Sequence, residues 1–317
     1  MSQRAPYLFA VSLAFLAAAC GGDETTTADA GTGQDAAMDS GIPDTGTPDG
    51  GNADSGTPDS GNADSGTPDG GNADGGPDSG SFDVKNVPGL ALWLDGSKGV
   101  TSDGSGNVSK WADQSGNAND AVQATANRQP SIVTPGINGK SVIRFNPPSA
   151  LYPYLTIPDA TTLRLGTGDF YITAVAKRPV DNAFLNCVLS KQNAGAPFAG
   201  YAVYLNLSAP HAGGQLDANT NILSSGGPYG DGVARQFGFA RTSNTATFRV
   251  NGATQGTLPS TAVNSDAPGV ALSIGGVAPS GLHPLVGDLA ELVIVKGAIS
   301  TSDMAAIEAY LQAKYAL

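Results

Sequence analysis

The sequence is short of cysteine, of aromatic residues and of long hydrophobic runs. Its 317 residues include only two cysteines, Cys20 and Cys187, too few for the disulfide framework of a small secreted domain. The apolar run 184–189 around Cys187 predicts a buried structural thiol. The alternative is a nucleophilic cysteine, but its base would have to be His211 or His283, the only histidines, and neither stands in a recognisable motif. The apolar run at 7–19 is too short to span a hydrocarbon core of about 30 Å as a helix.

Positive charge is absent from the stretch 21–80, which contains no Lys or Arg. Thirteen of the 28 acidic residues lie between 21 and 82, whereas 83–317 carries fifteen acidic and fifteen basic residues. The formal net charge of −12 therefore belongs to the N-terminal region, and the remainder is neutral. Neither region offers a basic patch for phosphates, which argues against nucleic acid as a partner.

The N-terminal 19 residues have the pattern of a secretory signal. Arg4 supplies the positive charge, the run 7–19 supplies the apolar segment, and small residues precede Cys20. Residues 17–20 (AAAC) resemble the lipobox of bacterial lipoproteins, although those proteins usually have Leu or Val where Ala17 stands. The resemblance implies that Cys20 is lipidated and anchors the chain to the outer membrane, facing the periplasm or the cell surface. An ordinary cleavage site in front of Cys20 is the alternative.

Residues 20–82 combine the lipidated Cys20 with a Gly-, Asp-, Pro- and Thr-rich region in which a ten-residue unit recurs from 51 and from 61. The repeat has no large apolar side chain, so stacked copies would bury nothing and a solenoid is excluded. This composition predicts a disordered tether with an r.m.s. span of about 45 Å. The alternative, calcium binding by the repeated Asp and Asn, lacks the spacing of an EF-hand loop.

From residue 83 to 317 the pattern predicts an all-β domain. Short alternating segments are separated by Gly, Pro, Asn and Asp, and Asn251-Gly252 between two such segments indicates a two-residue hairpin. At least eleven strands and one terminal helix predict a single β-sandwich. We expect strands near 90–94, 141–145, 154–157, 170–176, 187–191, 201–207, 236–240, 247–250, 254–258, 270–274 and 289–295.

One C-terminal helix is predicted by capping and periodicity. Ser300 with Asp303 resembles a capping box, and an apolar stripe follows at helical spacing. The stripe should dock on the sandwich, and its members are Met304, Ile307, Leu311 and Tyr315.

Six segments, in order along the chain, together carry a resemblance to a known family. They are 89–95 (GLALWLD), 111–117 (WADQSGN), 248–252 (FRVNG), 270–276 (VALSIGG), 287–292 (GDLAEL) and 307–311 (IEAYL). These segments resemble the LamG-like jelly-roll domains of the concanavalin A-like lectin and glucanase superfamily. The resemblance spans nearly all of 82–317 and implies a jelly-roll sandwich. Because that superfamily includes lectins, glycosidases and structural modules, it does not fix the activity.

Residues 286–291 (VGDLAE) align with the paired-carboxylate strand of laminarinase-type glycosidases, but Val286 stands where the nucleophilic Glu would be. No other carboxylates share a strand at short spacing. We therefore predict that Asp288 and Glu291 satisfy backbone and loop partners, and no catalytic residue is assigned. Trp93 and Trp111 are expected in the core, and 113–117 is expected to form an Asx-type turn.

Loop residues supply the remaining candidates for a site. Tyr152, Tyr154, Tyr229 and Asp231 could form part of a glycan-binding surface, because loops on a rigid sandwich often carry binding. The alternating oxygen groups of Asp217, Asn219 and Asn221 could bind calcium, but the Gly and the bidentate Glu of a calcium loop are missing. No cofactor is expected, with calcium at these residues as the alternative.

Three functions remain open at this point. The first is a membrane-tethered surface module that binds a glycan or an envelope protein without catalysis. The second is a glycoside hydrolase or lyase with a degenerate motif, which would need an acid pair. The third is an inert display domain. The concave face of the folded sandwich is the feature that separates them: aromatic and charged side chains clustered there would favour binding, and an acid pair would favour the enzyme.

Overall fold

The computed structural model describes residues 82–146, 151–179, 185–193, 198–208, 210–217, 220–260, 263–279 and 281–317. The signal, Cys20 and the repeats lie outside these ranges. Within them the chain forms seventeen β-strands, four short 3-10 helices and one α-helix, which confirms the all-β prediction. No helix of the described ranges has both the length and the hydropathy needed to cross a membrane.

The strands pair into two antiparallel sheets. They are β1 (Leu90–Asp95), β2 (Val100–Ser102), β3 (Val108–Trp111), β4 (Ala121–Val122), β5 (Ser131–Val133), β6 (Val142–Phe145), β7 (Leu155–Ile157), β8 (Phe170–Lys177), β9 (Cys187–Gln192), β10 (Gly200–Ser208), β11 (His211–Gln215), β12 (Asn221–Leu223), β13 (Ala234–Thr242), β14 (Thr245–Val250), β15 (Ala253–Pro259), β16 (Leu272–Ile274) and β17 (Gly287–Lys296). The 3-10 helices are Val84–Asn86, Ala126–Arg128, Ile137–Gly139 and Thr161–Leu163.

The first sheet has the order β15-β14-β13-β8-β17-β6-β5, and β1 also pairs with β17. The second sheet has the order β12-β11-β10-β9-β16-β7-β4-β3-β2. Side chains alternate between the two faces of each strand, so Leu92 and Leu94 of β1 enter the core between the sheets while Trp93 points to the outer face of the first sheet. The main core therefore lies between the sheets, as in a β-sandwich.

The α-helix α1 (Thr301–Tyr315) covers the outer face of the first sheet. The Ser300 hydroxyl accepts a hydrogen bond of 2.9 Å from the Asp303 backbone N–H, which confirms the predicted N-cap. The predicted apolar stripe packs on sheet residues such as Val293, so the sheet is buried on both faces. The stripe residues are Met304, Ile307, Leu311 and Tyr315.

Two predicted turns are confirmed. Asn251 and Gly252 have φ values of +46° and +78° between β14 and β15, the positive values that a type I′ hairpin turn needs. The Ser115 N–H donates 2.9 Å to Asp113 Oδ1, an Asx turn. Trp111 is fully buried, and its Nε1 donates to the Asp95 carbonyl oxygen at 2.9 Å.

Candidate functional site

A cleft opens on the outer face of the second sheet, where no part of α1 covers it. It has a volume of about 530 Å³ and lies beside β4, β7 and the turn that follows β16. None of the described residues that line it carries a charge. We call it the Tyr154 cleft, and its lining residues are Val122, Gln123, Ala124, Tyr154, Thr156, Val270, Ala271, Ala278 and Pro279.

Tyr154 is held in a fixed position at the end of the loop that enters β7. Its hydroxyl donates to the Pro279 carbonyl oxygen at 3.0 Å, and its own carbonyl oxygen accepts from Gln123 Nε2 at 2.9 Å. The Arg128 guanidinium lies 5.5 Å from the centre of the ring, within cation–π distance. With only 9% of its surface exposed, Tyr154 forms a rigid wall of the cleft.

Two polar side chains complete the cleft. The Thr156 hydroxyl donates to the Val122 carbonyl oxygen at 3.3 Å, and Gln123 Oε1 accepts from the Thr125 N–H at 3.0 Å. Each group keeps further capacity, because a hydroxyl oxygen has two lone pairs and an amide has two N–H donors. The cleft thus combines an apolar wall with a few oriented hydrogen-bonding groups, the usual chemistry of a site for a small ligand.

Arg128 and Gly281 connect Tyr152 with Tyr154. Arg128 lies over the Tyr154 ring, and Gly281 lies against both Arg128 and Tyr152. A Cβ built on Gly281 would lie 3.1 Å from Tyr152 Cβ and 3.4 Å from Arg128 Nη1, so the three residues meet. Tyr152 is half-buried. The structure therefore brings the first two predicted ligand-binding tyrosines together at one end of the second sheet.

Tyr229 is placed differently from the expectation. Only 6% of it is exposed, and its ring packs edge-to-face on Phe237 with 5.4 Å between ring centres. Arg235 lies 5.3 Å from the Tyr229 ring and forms a bidentate pair with Asp231, both N–O distances being 2.7 Å. This hydrogen bonding from Arg235 holds the pKa of Asp231 well below its usual value. Tyr229 thus serves core packing.

The four predicted ligand-binding residues do not form one surface. Tyr152 and Tyr154 adjoin β7, whereas Tyr229 and Asp231 follow β12. These strands are five steps apart in the second sheet, about 24 Å at about 4.8 Å per step. The expectation of a single surface is therefore corrected to two separate pairs.

The predicted calcium ligands are only partly described. Asp217 Oδ1 accepts from the Thr220 N–H at 2.6 Å, which turns its carboxylate back onto its own loop. Asn221 begins β12 and pairs with Gln215, while Asn219 lies outside the described residues. Across the described ranges, no three His, Cys, Asp or Glu side chains converge in a way that could hold a metal ion.

Asp288 was expected to bind backbone and loop groups, and the structure corrects this. Both of its carboxylate oxygens pair with the Arg144 guanidinium of the neighbouring strand β6, at 2.7 and 2.9 Å. This pair borders a second cleft of about 410 Å³, where Lys177 also lies. The hydrogen bond to Asp288 raises the pKa of Arg144.

Glu291 also has side-chain partners that the sequence did not indicate. It is fully buried under α1, where Lys314 Nζ contacts its Oε2 at 2.6 Å and also contacts Asp95 Oδ2 at 2.8 Å. Burial acts to lower the pKa of Lys314, but the charge of Glu291 and the hydrogen bonds to Asp95 and Glu291 outweigh it and raise that pKa. The only sequence signal for this cluster was the polar positions that interrupt otherwise apolar β1 and β17.

Cys187 is fully buried, and burial raises the pKa of its thiol, which confirms the structural role.

On the same face of the second sheet the Tyr204 ring meets the His283 ring edge-to-face at 6.4 Å. Burial lowers the pKa of His283, which keeps it neutral at pH 7. Cys20 lies outside the described residues.

Comparison with known proteins establishes the fold and not a family. No protein-family model matches the chain, and no curated protein matches it. The binding domain of paraclostridial mosquitocidal protein 1 is similar with a TM-score of 0.53 at 14% identity, over 72% of this chain and 53% of that one. Botulinum neurotoxin type C, whose cell entry depends on interaction with two ganglioside molecules, gives 0.51 at 10% identity, over 71% and 52%.

An arabinofuranosidase complexed with arabinofuranosyl-α-1,2-xylobiose gives a TM-score of 0.50 at 18% identity, over 66% of this chain and 51% of that one. The chain therefore spans about half the length of the solved chains that it matches. Identities this low establish only the fold. The predicted two-sheet β-sandwich with a C-terminal helix is confirmed.

Proposed function

We propose that the sandwich domain binds a glycan, or the glycan part of an envelope component, in the Tyr154 cleft and does not turn it over. The observation that carries the proposal is an uncharged cleft with a rigid tyrosine wall and oriented amide and hydroxyl groups. A sugar ring presents C–H faces and hydroxyl edges, so it needs both an apolar wall and hydrogen-bonding partners.

The components of the cleft match those two needs. Val122, 38% exposed, and the exposed Pro279 provide apolar contact at the rim, while Gln123 and Thr156 provide donors and acceptors. The volume of about 530 Å³ lies within the range usual for small-ligand sites. Because no described lining residue is charged, we expect binding that changes little with salt.

The placement of the two carboxylates favours binding over hydrolysis. Glu291, the carboxylate on which a laminarinase-like mechanism would depend, is fully buried beneath α1, and Asp288 is paired with Arg144. Two proteins of similar fold have saccharide-containing partners. The cell entry of the neurotoxin depends on gangliosides, and the arabinofuranosidase is complexed with arabinofuranosyl-α-1,2-xylobiose. This supports saccharide binding as a use of the fold, and the Tyr154 cleft is our assignment for this chain.

The proposal includes the membrane anchor. A lipidated Cys20 and a tether spanning about 45 Å would present the domain away from the outer membrane, where it could contact envelope glycans or proteins. Such a position suits capture at the cell surface or in the periplasm rather than the processing of a diffusing metabolite.

A glycan array with the purified full chain tests the proposal. We expect retention of a small set of neutral glycans, with a signal that survives an increase in salt concentration. Each retained glycan is then incubated with the protein and assayed for new reducing ends, and none should appear. An array with no retained glycan would contradict glycan binding, and release of reducing ends would contradict binding without turnover.

A further inference from the structure

Asp95 and Glu291 face each other directly across the β1–β17 ladder, and a lysine from α1 joins them. They are register partners, and both are fully buried. Lys314 Nζ lies 2.8 Å from Asp95 Oδ2 and 2.6 Å from Glu291 Oε2, and its side chain is only 15% exposed. The amine is therefore in hydrogen-bond contact with an oxygen that is bonded to the carboxyl carbon of Asp95.

The two carboxylates are held in different ways. Glu291 accepts from Trp93 Nε1 at 2.6 Å and from the Tyr315 hydroxyl at 2.8 Å, which fixes it against the amine. Asp95 Oδ1 accepts from the Ser97 N–H at 2.9 Å, so a backbone donor holds one of its oxygens while the other faces Lys314. A backbone N–H in that place would stabilise negative charge developing on Oδ1.

We propose that Lys314 and Asp95 are joined by an isopeptide bond that forms within the folded domain, with Glu291 as the proton relay. Glu291 takes a proton from the Lys314 ammonium, and the free amine attacks Asp95 Cγ. Glu291 passes this proton to Oδ2, takes a second proton from the nitrogen of the tetrahedral intermediate and passes it to Oδ2 as well, and as the Cγ–Oδ2 bond breaks Oδ2 leaves as water. An ammonium and a carboxylate thus become an amide and one water, and no oxidant or further reactant is needed.

Burial favours this condensation. The cluster holds two carboxylates and one ammonium out of contact with most of the solvent, and buried charge costs free energy that pairing only partly offsets. The nearby Lys98 lies 3.7 Å from Asp95 Oδ2, but its side chain is 55% exposed. Amide formation would remove one opposite-charge pair from the interior, and the fold keeps the reacting groups in contact.

The bond would tie the first long strand of the domain to the last turn of its helix. Asp95 ends β1 and Lys314 is in the final turn of α1, 219 residues further along the chain. A covalent link there would stop α1 from detaching from the first sheet. That property suits a domain held at a cell surface by a tether on its N-terminal side.

Tryptic peptide mapping of the purified full chain tests the proposal directly. Cleavage after Lys85, Lys98 and Lys296 isolates the Asp95 peptide 86–98 and the C-terminal segment after 296. If the bond is present, Lys314 resists trypsin, and one species joins 86–98 to 297–317 with a mass one water below their sum. Free 86–98 together with 297–314, cleaved after Lys314, would overturn the proposal.

Three variants assign the roles. Glu291→Gln keeps the size of the relay but removes its basicity, and Lys314→Arg keeps the charge but removes the amine, so the joined species should disappear in both. The control, Lys98→Arg, should retain it. A joined species that persists in Glu291→Gln would overturn the relay role, and one lost only in Lys98→Arg would overturn the assignment to Lys314. The unaltered chain decides the main question even if a variant does not fold.

Discussion

The Tyr315 hydroxyl donates a hydrogen bond of 2.8 Å to Glu291 Oε2, joining the last turn of α1 to the middle of β17. Both residues are almost completely buried. A hydrogen bond to a charged acceptor in such a place is worth more than one to a neutral carbonyl, because the acceptor has no water to replace the lost donor. The C-terminal helix is thus attached by polar contacts as well as by its apolar stripe.

Tyr315→Phe should therefore lower the free energy of unfolding by about 2 kcal/mol, since it removes only the hydroxyl. Tyr201→Phe is the matched control. It removes a buried hydroxyl that donates to the neutral Leu163 carbonyl oxygen at 2.9 Å, and it should cost about 1 kcal/mol. Urea unfolding of the two variants measures both values. Equal losses would show that the charge of Glu291 adds nothing to helix attachment.

Acid should destabilise the domain partly through Asp159. Hydrogen bonds from Arg164 and then from Lys191 hold the pKa of this carboxylate well below its ordinary value, and Lys191 is fully buried. A lowered pKa in the folded state contributes stability above an ordinary Asp pKa of about 4, and that stability is lost as the pH falls toward the folded value. Asp159→Asn should lose about 3 kcal/mol at neutral pH, because Lys191 stays buried without its counter-charge.

The same variant should show a shallower loss of stability between neutral and acidic pH, measured by urea unfolding at a series of pH values. Asp231→Asn is the control, because its pair with Arg235 is more exposed and should be worth less than about 1 kcal/mol. An unchanged pH profile in Asp159→Asn would contradict the role given to this carboxylate.

The anchor is tested by Cys20→Ser. Cys20 is the only residue that we expect to carry acyl chains, so the variant should move from the membrane fraction to the soluble fraction. Cys187→Ser should leave the fractionation unchanged, because the Cys187 thiol is buried in the sandwich. Membrane retention of Cys20→Ser would contradict the lipoprotein hypothesis.

Local signals were sufficient to predict much of the fold. The Asn251-Gly252 turn and the Ser300 cap depend on contacts within three residues, and both are present as predicted. Short strands were missed, because β4 has two residues and β12 has three, too few to show alternation. The predicted strands at 154–157 and 270–274 begin later, at Leu155 and Leu272.

The candidate site could be predicted only in part. The aromatic side chain of Tyr154 predicts a binding residue from sequence, but Gln123 and Pro279 join it only through the pairing of β4 with β7 and the turn after β16. Likewise nothing local connects Asp95 with Lys314, which meet when α1 folds back onto the first sheet. Tyr229 lies in a loop, as the sequence predicts, but it is buried, through contact with Phe237 of the other sheet.

The central claim, that the Tyr154 cleft binds the glycan, is tested most directly by filling the cleft. Val122 is 38% exposed at the rim of the cleft, and Val122→Trp adds bulk there. Val233 is 51% exposed in the loop that leads into β13, so Val233→Trp adds the same bulk at a surface position outside the cleft. Calorimetric titration of both variants and the unaltered chain with a glycan retained on the array compares them. We predict that Val122→Trp weakens binding at least about tenfold, a loss of about 1.4 kcal/mol, while Val233→Trp matches the unaltered chain. Equal affinity of all three proteins would contradict the assignment of the cleft.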